Sequence, residues 1–559
     1  MGDEQEAKVS QFLSWLQVNR VELRDCNIRY CGPNKGFGIF SSNNSNDGIL
    51  LVVPLELAIT PMRVLQDPFL GPKCRAMFEE GDVDDRFLMI LFLTVERLRE
   101  HSTWKPYLDM LPSTFGSSIW FKEDELSELK GTTLYRATKL QKEKLQALFE
   151  HKVKSLVEEL LKEELDNKNE VRFEDFIWAN TVFWTRALNL PLPRTFVFPD
   201  VVRDQGDNSS FLSNHSRGNT TQISGEMLSH GKDKSAATEG MVTTSNKNSE
   251  TIWVEGLVPG IDLCNHAVRA AATWEVDGTG STTCVPCSMY LLSAEQGTFQ
   301  GENEITISYG DKGNEELLYL YGFVLENNPD DYLMVHYPIE AFQNERLADF
   351  KGQLLVMQGV EMRCLLYRRL LENGFFQGSL HKDDRNKKDS VVQNSSYSWG
   401  GRRKVPSYLS KLVFPEDFMA ALRTVAMKEA ELLQVSTVLQ ELVSRDEKQP
   451  SDTEVRTAVW ETCGDSGALQ LLINLLQAKL MELEEGTGTE FSDSEHIKNA
   501  LIIEESNDYA RWESHYPNKE VMNRNRWSAI VYRRGQKQLA RLFLQEADHA
   551  LELCLNEVE

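Results

Sequence analysis

The 559-residue chain has no apolar run of transmembrane length, so the sequence predicts no membrane-spanning helix. Its first residues, MGDEQEAKVSQFLSWLQVN, carry neither a basic leader nor a long apolar stretch, which argues against a secretory signal. Their acidity also argues against an organelle transit peptide. Glu6 stands where a myristoylation signal starting at Gly2 needs Ser or Thr. Positive charge is in deficit too. Sixty Lys and Arg face 85 Asp and Glu, for a net charge of -25. Such a surface repels phosphate backbones, so no nucleic-acid ligand is expected. The charge serves solubility, and it would also attract Lys-rich protein surfaces. The cysteines number nine, an odd count without regular spacing, which fits free thiols in a reducing compartment rather than a disulfide framework. Cys284 and Cys287 form one C-x-x-C without a second pair, too little for a structural zinc. The expectation is a cytoplasmic or nuclear protein with no membrane partner and no metal.

What is present is enough apolar residue, 41% of the chain, to build a core. Val9, Phe12, Leu13 and Leu16 mark one face of a helix over 6–18. Alternation at 21–30, the glycine-flanked run at 34–40 and the apolar run at 48–60 predict a small sheet. Pro54 should end one strand before a second short one. Helices are predicted over 84–100, 137–165 and 173–190. Strands return at 251–259, 273–276, 289–294 and 304–309, and helices dominate after about 337. There Phe418, Leu422, Val425 and Leu432 are expected to share a face. Residues 203–250 are too polar to offset the entropy of ordering and are expected to be a disordered insertion. A second polar insertion spans 378–404.

The stretch GIDLCNHA, residues 260–267, puts Cys264, Asn265 and His266 side by side behind Asp262. A papain-type hydrolase needs its Cys and His far apart in sequence, so that they meet in space. Adjacent residues point in different directions, which argues against that reading. A metal site would need further ligands, and no H-x-x-H or H-E-x-x-H includes His266. A turn around a satisfied buried histidine is the plain structural alternative. Two more stretches accompany it. KGFG at 35–38 offers a glycine turn whose backbone a ligand can approach closely. ENEITISYG at 302–310 and YGF at 321–323 add a strand and a helix end, each common by itself.

In this order, K-G-x-G, D-x-C-N-H, E-I-x-I-x-Y-G and Y-G-F, the chain resembles the SET-domain methyltransferases. WKPYLDMLP at 104–112 and TRALNL at 185–190 resemble the subgroup of the Rubisco large-subunit lysine methyltransferase and the actin-histidine methyltransferase. WSAIVYRRGQKQL at 527–539 is similar to the helical domain that follows SET in that subgroup. The resemblance implies an α+β fold, a SET-domain β-fold with a knot-like core and a helical insertion, followed by an all-α substrate-binding domain. The divisions expected are an N-terminal helix at 1–19, SET parts at 20–110 and 251–337, a helical insertion at 111–250 and the helical domain at 338–559.

The resemblance further implies S-adenosyl-L-methionine as cofactor. It would be held by Lys35, Gly36, Phe37 and Gly38 through the backbone, and by Arg186, Asn265 and His266, with Tyr309 as the catalytic residue. Arg186, Leu188, Asp262, Tyr321 and Phe323 would line the substrate channel. The subgroup's missing zinc cluster agrees with the cysteine pattern. The implied activity is protein-lysine N-methylation of a soluble, non-histone protein docked on the helical domain of a monomeric enzyme. Protein-histidine methylation and a catalytically silent, partner-binding SET module are the alternatives. Retention of Tyr309, Asn265 and His266 together speaks against silence. Leu188 occupies the position where the actin-histidine enzyme has an amide that holds the imidazole. An apolar side chain suits a lysine stem instead, although Asn189 lies one residue on.

Overall fold

The computed structural model describes residues 2–33, 35–42, 48–162, 170–198, 251–294, 303–343, 347–376, 402–446, 448–503 and 520–556. The expected insertion at 203–250, and 378–401 of the second, lie outside the described residues.

The helix Gly2–Val18 buries Phe12 and Leu16, as its apolar spacing predicts, but Leu13 is left on the outer edge. Trp15 takes its place, stacking on Phe12 and Tyr107 with ring centroids 5.8 and 6.4 Å apart. The strand expected over 21–30 is two strands, β1 Glu22–Leu23 and β2 Cys26–Tyr30. They join different sheets. Following β3 Phe37–Ser41 comes β4 Ile49–Pro54, whose residues 49–53 are all buried. That unbroken apolar run has both faces covered. Beyond Pro54 the chain makes a 3-10 turn, Leu55–Leu57, not the second strand expected. Ile59 then rejoins the framework through a single bridge to Leu257.

The helices of the first half pack on this framework. Asp84 caps Asp85–Leu98 by accepting from the Phe87 N–H at 2.8 Å. This helix packs on Phe173–Arg186. The long helix begins at Thr133 rather than 137, because Thr132 caps it, accepting from the Tyr135 N–H at 3.3 Å. It runs through a π turn at Phe149–Val153 and ends at Leu160. The helix expected to reach residue 190 stops at Arg186, and β5 Leu188–Pro193 follows. Pro191 and Pro193 cannot donate to a helix and push the preceding residues towards extended backbone. β5 pairs antiparallel with β6 Thr251–Gly256.

The remaining strands of this half are β7 Ala272–Asp277, β8 Ser288–Ser293 and β9 Glu304–Ile305. One antiparallel sheet has the order β1-β4-β8-β7 and another β2-β3-β9. The sheets and the helices above enclose one large core.

Among the described residues the second half is dominated by helices, with an antiparallel pair of β10 Tyr332–His336 and β11 Arg363–Tyr367, separated by helical segments, and a parallel pair of Ala500–Ile503 and Glu520–Asn523. The helix Glu416–Ala426 ends before Met427, so Leu432 lies on the next helix, Glu429–Asp446. Phe418 and Leu422 enter one core, and Leu432 enters another with Val435, Val455 and Val459. The 33-residue helix Arg524–Asn556 packs along Ser466–Glu484. Its first turns also reach the other half. Tyr532 donates to Oε2 of Glu315 at 2.6 Å, and Arg526 donates to Oε1 of Glu128 at 2.7 Å.

Candidate active site

The loop 260–267 becomes a site through backbone geometry. Gly260 has φ 102°, a left-handed conformation that suits glycine, and it opens the 3-10 turn Ile261–Leu263. The chain then runs extended beside the end of β9. The Ile307 N–H donates to the Asn265 carbonyl at 3.0 Å, and the Ala267 N–H donates to the Ile307 carbonyl at 3.1 Å. This makes a parallel bridge between His266 and Ile307. On its other side β9 pairs with β3, Ile39 against Ile305 and Phe40 against Glu304. Three motifs far apart in sequence therefore meet along residues 304–309.

Cys264 is buried and its thiol is pushed well above the usual thiol range by desolvation. A buried thiol held protonated is a poor nucleophile. Nδ1 of His266 accepts from the Tyr309 backbone N–H at 3.1 Å, and burial lowers the imidazole's proton affinity. The ring is thus a neutral acceptor at Nδ1. No hydrolase pair forms.

The Tyr309 hydroxyl donates to the Cys264 carbonyl at 2.8 Å. Its ring lies in an aromatic group: Tyr321 is 4.7 Å from Tyr309, His266 is 5.1 Å from Tyr309, and Phe323 is 5.9 Å from His266. Burial pushes the Tyr309 phenol up, and that of Tyr321 to about 12, so both are neutral donors near neutral pH. Tyr321 ends a π turn, Leu317–Tyr321, and Gly322 follows with φ 79°. A Cβ on Gly322 would lie 2.5 Å from the Ser117 nitrogen. Tyr321 and Phe323 therefore flank a glycine seated directly on the backbone of 116–117.

Asp262 lies beneath this group. Its Oδ2 accepts from the Tyr107 hydroxyl at 2.5 Å and its Oδ1 from the Gly260 N–H at 3.1 Å. Desolvation pushes its carboxyl up to about 6, although Arg186 nearby opposes this. Arg186 donates through Nη1 to the Asp262 carbonyl at 2.6 Å, while its buried Nε has no protein partner. Leu188 is half-buried against the large core and pairs with Gly256, whereas Asn189 is exposed. Successive strand residues face opposite ways, so the two side chains do not share a face.

At the other end is the turn 35–38. The Cys31 N–H donates to the Gly36 carbonyl at 2.7 Å, and Gly36 has φ 68°. Phe37 is buried in the core, its ring 5.3 Å from that of Tyr30. Lys35 pairs with Oε2 of Glu304 at 2.9 Å. Oε1 of Glu304 accepts from the Asn265 amide at 2.7 Å. The structure thus brings Asn265, His266, Tyr309, Tyr321 and Phe323 together, with Asp262 and Arg186 behind them and Lys35–Gly38 joined through Glu304. Sequence reasoning missed Tyr107 and Glu304. Tyr107 stood within WKPYLDMLP and Glu304 at the head of E-I-x-I-x-Y-G, but nothing local marks the first as a partner of Asp262 or the second as a partner of Lys35 and Asn265. Among the described residues no three His, Cys, Asp or Glu group together as a metal site would require. No helix there is long and apolar enough to cross a membrane.

No protein-family model matches the chain. It is 31% identical over 186 residues to the chloroplastic fructose-bisphosphate aldolase-lysine N-methyltransferase of Arabidopsis thaliana, covering 32% of this chain and 36% of that protein. It is 30% identical over 219 residues to the Rubisco large subunit N-methyltransferase of Pisum sativum, covering 38% and 40%. Against the actin-histidine N-methyltransferase of Canis lupus familiaris it is 21% identical over 330 residues, covering 58% and 44%. The chain thus spans less than half the length of these curated relatives. Among solved structures, the fold matches Rubisco LSMT bound to AdoMet with a TM-score of 0.57 at 18% identity, covering 99% of this chain and 93% of that one. It matches the SET domain of LSMT bound to lysine and AdoHcy equally, over 98% and 92%. The fold is that of a SET domain followed by a helical domain, and the relatives are those of the subgroup that WKPYLDMLP and TRALNL resemble.

Proposed function

We propose that this chain is an S-adenosylmethionine-dependent protein-lysine N-methyltransferase. The observation that carries the reading is the placement of the Tyr309 hydroxyl on the Cys264 carbonyl, inside the aromatic group of His266, Tyr321 and Phe323. The residues present fit the cofactor. The turn at Gly36 leaves backbone open to a ligand, Arg186 Nε is a buried donor without a protein partner, and Asn265 and His266 lie alongside. S-adenosylmethionine, when bound, supplies an electrophilic methyl group. The chain's own part is alignment and desolvation. A lysine amine has a pKa of about 10.4 in water and must be neutral to attack. The rings of Tyr309, Tyr321 and Phe323 would lower that value by excluding water. The Tyr309 hydroxyl, its proton committed to Cys264, keeps oxygen lone pairs free to orient the amine.

Lysine is favoured over histidine by Leu188. The Asn189 amide, one residue further along, is exposed and faces the other way along β5. The protein substrate is proposed to dock on the helical domain of a monomeric enzyme, with the divisions 1–19, 20–110, 111–250, 251–337 and 338–559. The acidic surface, net -25, suits a Lys-rich partner. The nine unpaired thiols support a reducing compartment, proposed as cytoplasm or nucleus.

The test is incubation of the full chain with cell extract and methyl-labelled S-adenosylmethionine, followed by mass mapping of the modified residue. A methylated lysine on a soluble protein is expected. Label on histidine would move the assignment to the alternative, and absence of cofactor binding by calorimetry would overturn the enzymatic reading.

A further inference from the structure

Glu304 does more than start β9. Its two carboxylate oxygens hold the two cofactor-side motifs at once. Oε2 takes Lys35 Nζ at 2.9 Å and Oε1 takes Asn265 Nδ2 at 2.7 Å. A carboxylate only accepts, so it selects the donating end of the Asn265 amide. The reverse orientation would set two acceptor oxygens face to face. Asn265 Oδ1 is thereby turned away from Glu304, as an acceptor fixed in place.

Gly38 belongs to the same arrangement. A Cβ there would lie 2.8 Å from Cys31 Sγ, 3.1 Å from Asn265 Nδ2 and 3.2 Å from Glu304 Oε1. The second glycine of the K-G-x-G turn thus makes room for the bond between Asn265 and Glu304. Its φ is not in the left-handed region, so space and not backbone freedom is what it supplies. Lys35 is exposed and balances the carboxylate's charge from the solvent side.

We propose that Glu304 is a positioning residue for cofactor binding, acting through Asn265: it locks the amide so that Oδ1 accepts from a donor group of the cofactor. This rests on the methyltransferase reading above. A hydrogen bond to a charged acceptor is replaced by water when Glu304 is truncated, and the amide is then free to turn.

The experiment is calorimetry of the full chain with S-adenosylhomocysteine, with melting temperatures recorded for every variant. Glu304→Ala is expected to weaken binding about tenfold. Glu304→Gln, which keeps the volume and one acceptor, should lie between that and wild type, and it carries the test if the alanine variant does not fold. Asn265→Ala should lose as much as Glu304→Ala, and the double variant no more than Asn265→Ala alone. At saturating cofactor kcat should stay near wild type, with the loss confined to KM. Losses that add, or undiminished binding by Glu304→Ala, would overturn this role alone. No binding by the wild-type chain would overturn the cofactor reading and this role with it.

Discussion

The Tyr309 hydroxyl donates to the Cys264 carbonyl at 2.8 Å, across 45 residues of sequence. That bond fixes where the phenol oxygen sits and which way its lone pairs face. Preorganised oxygens of this kind favour the transition state because they need not move when charge redistributes. We predict that Tyr309→Phe lowers kcat by about 100-fold or more while cofactor affinity changes little. Steady-state kinetics and calorimetry on the same preparation check this. A wild-type rate would remove Tyr309 from the chemistry.

Asp262 gives a pH signature. Its carboxyl is pushed up to about 6 by burial, from the ordinary value of 3.8. The folded state therefore binds this proton more tightly than the unfolded chain. Asp262's contribution to stability is fully present below pH 3.8 and is lost as pH rises through about 6. Asn at this position mimics the protonated acid and has no such loss. The stability of wild type relative to Asp262→Asn should fall by on the order of 3 kcal/mol between pH 4 and pH 7. Denaturant unfolding across that range measures it, and a flat difference would contradict it. Tyr107→Phe removes the donor at Oδ2 and should raise the carboxyl further, moving the window to higher pH.

How much of this was readable without coordinates follows from range. KGFG, DLCNH and ISYG each carry their signal locally, and their order sufficed for the fold. Tyr107 meets Asp262 over 155 residues and Glu304 meets Lys35 over 269, so nothing near either one marks the pairing. The helix–strand switch at Leu188 was misread for a different reason. The apolar run FIWANTVFWTRALNL continues past Arg186, and only the Leu-Pro alternation that follows breaks it. Leu432 was placed on a neighbour's face because periodicity cannot see the non-helical backbone at Met427.

Gly322 separates Tyr321 from Phe323 and has no room for a side chain. Its Cβ would meet backbone, Ser117 N at 2.5 Å and Gly116 C at 2.6 Å, and backbone cannot swing aside. Its positive φ adds strain for any other residue. Gly322→Ala is expected to cost about 3 kcal/mol or more, and to lower activity in the fraction that folds by moving both aromatics. Gly359→Ala is the control. Its φ is 59°, but nothing lies within 4 Å of its Cβ. It should cost about 1 kcal/mol and leave activity unchanged. Equal costs in thermal unfolding would show that the contact with 116–117 is unimportant.

The second half holds a charge cluster that should respond asymmetrically. Asp493 is fully buried and accepts from Arg533 Nη2 at 2.6 Å, from Arg533 Nε at 2.9 Å and from Lys537 Nζ at 2.7 Å. Burial lowers the Lys537 pKa, and Asp493 opposes that shift. Asp493→Ala strands the buried Lys537, leaves Arg533 with Glu128 alone, and should cost about 3–5 kcal/mol. Lys537→Met fills a similar volume and leaves the Arg533 pair intact. Asp493 Oδ2 and the Gly488 carbonyl, each reached by Lys537 at 2.7 Å, lose one partner, and Asp493 keeps Arg533. That variant should cost about 1–2 kcal/mol. Urea unfolding midpoints at constant slope order the two. If Lys537→Met were as damaging as Asp493→Ala, the lysine and not the carboxylate would be the centre of the cluster.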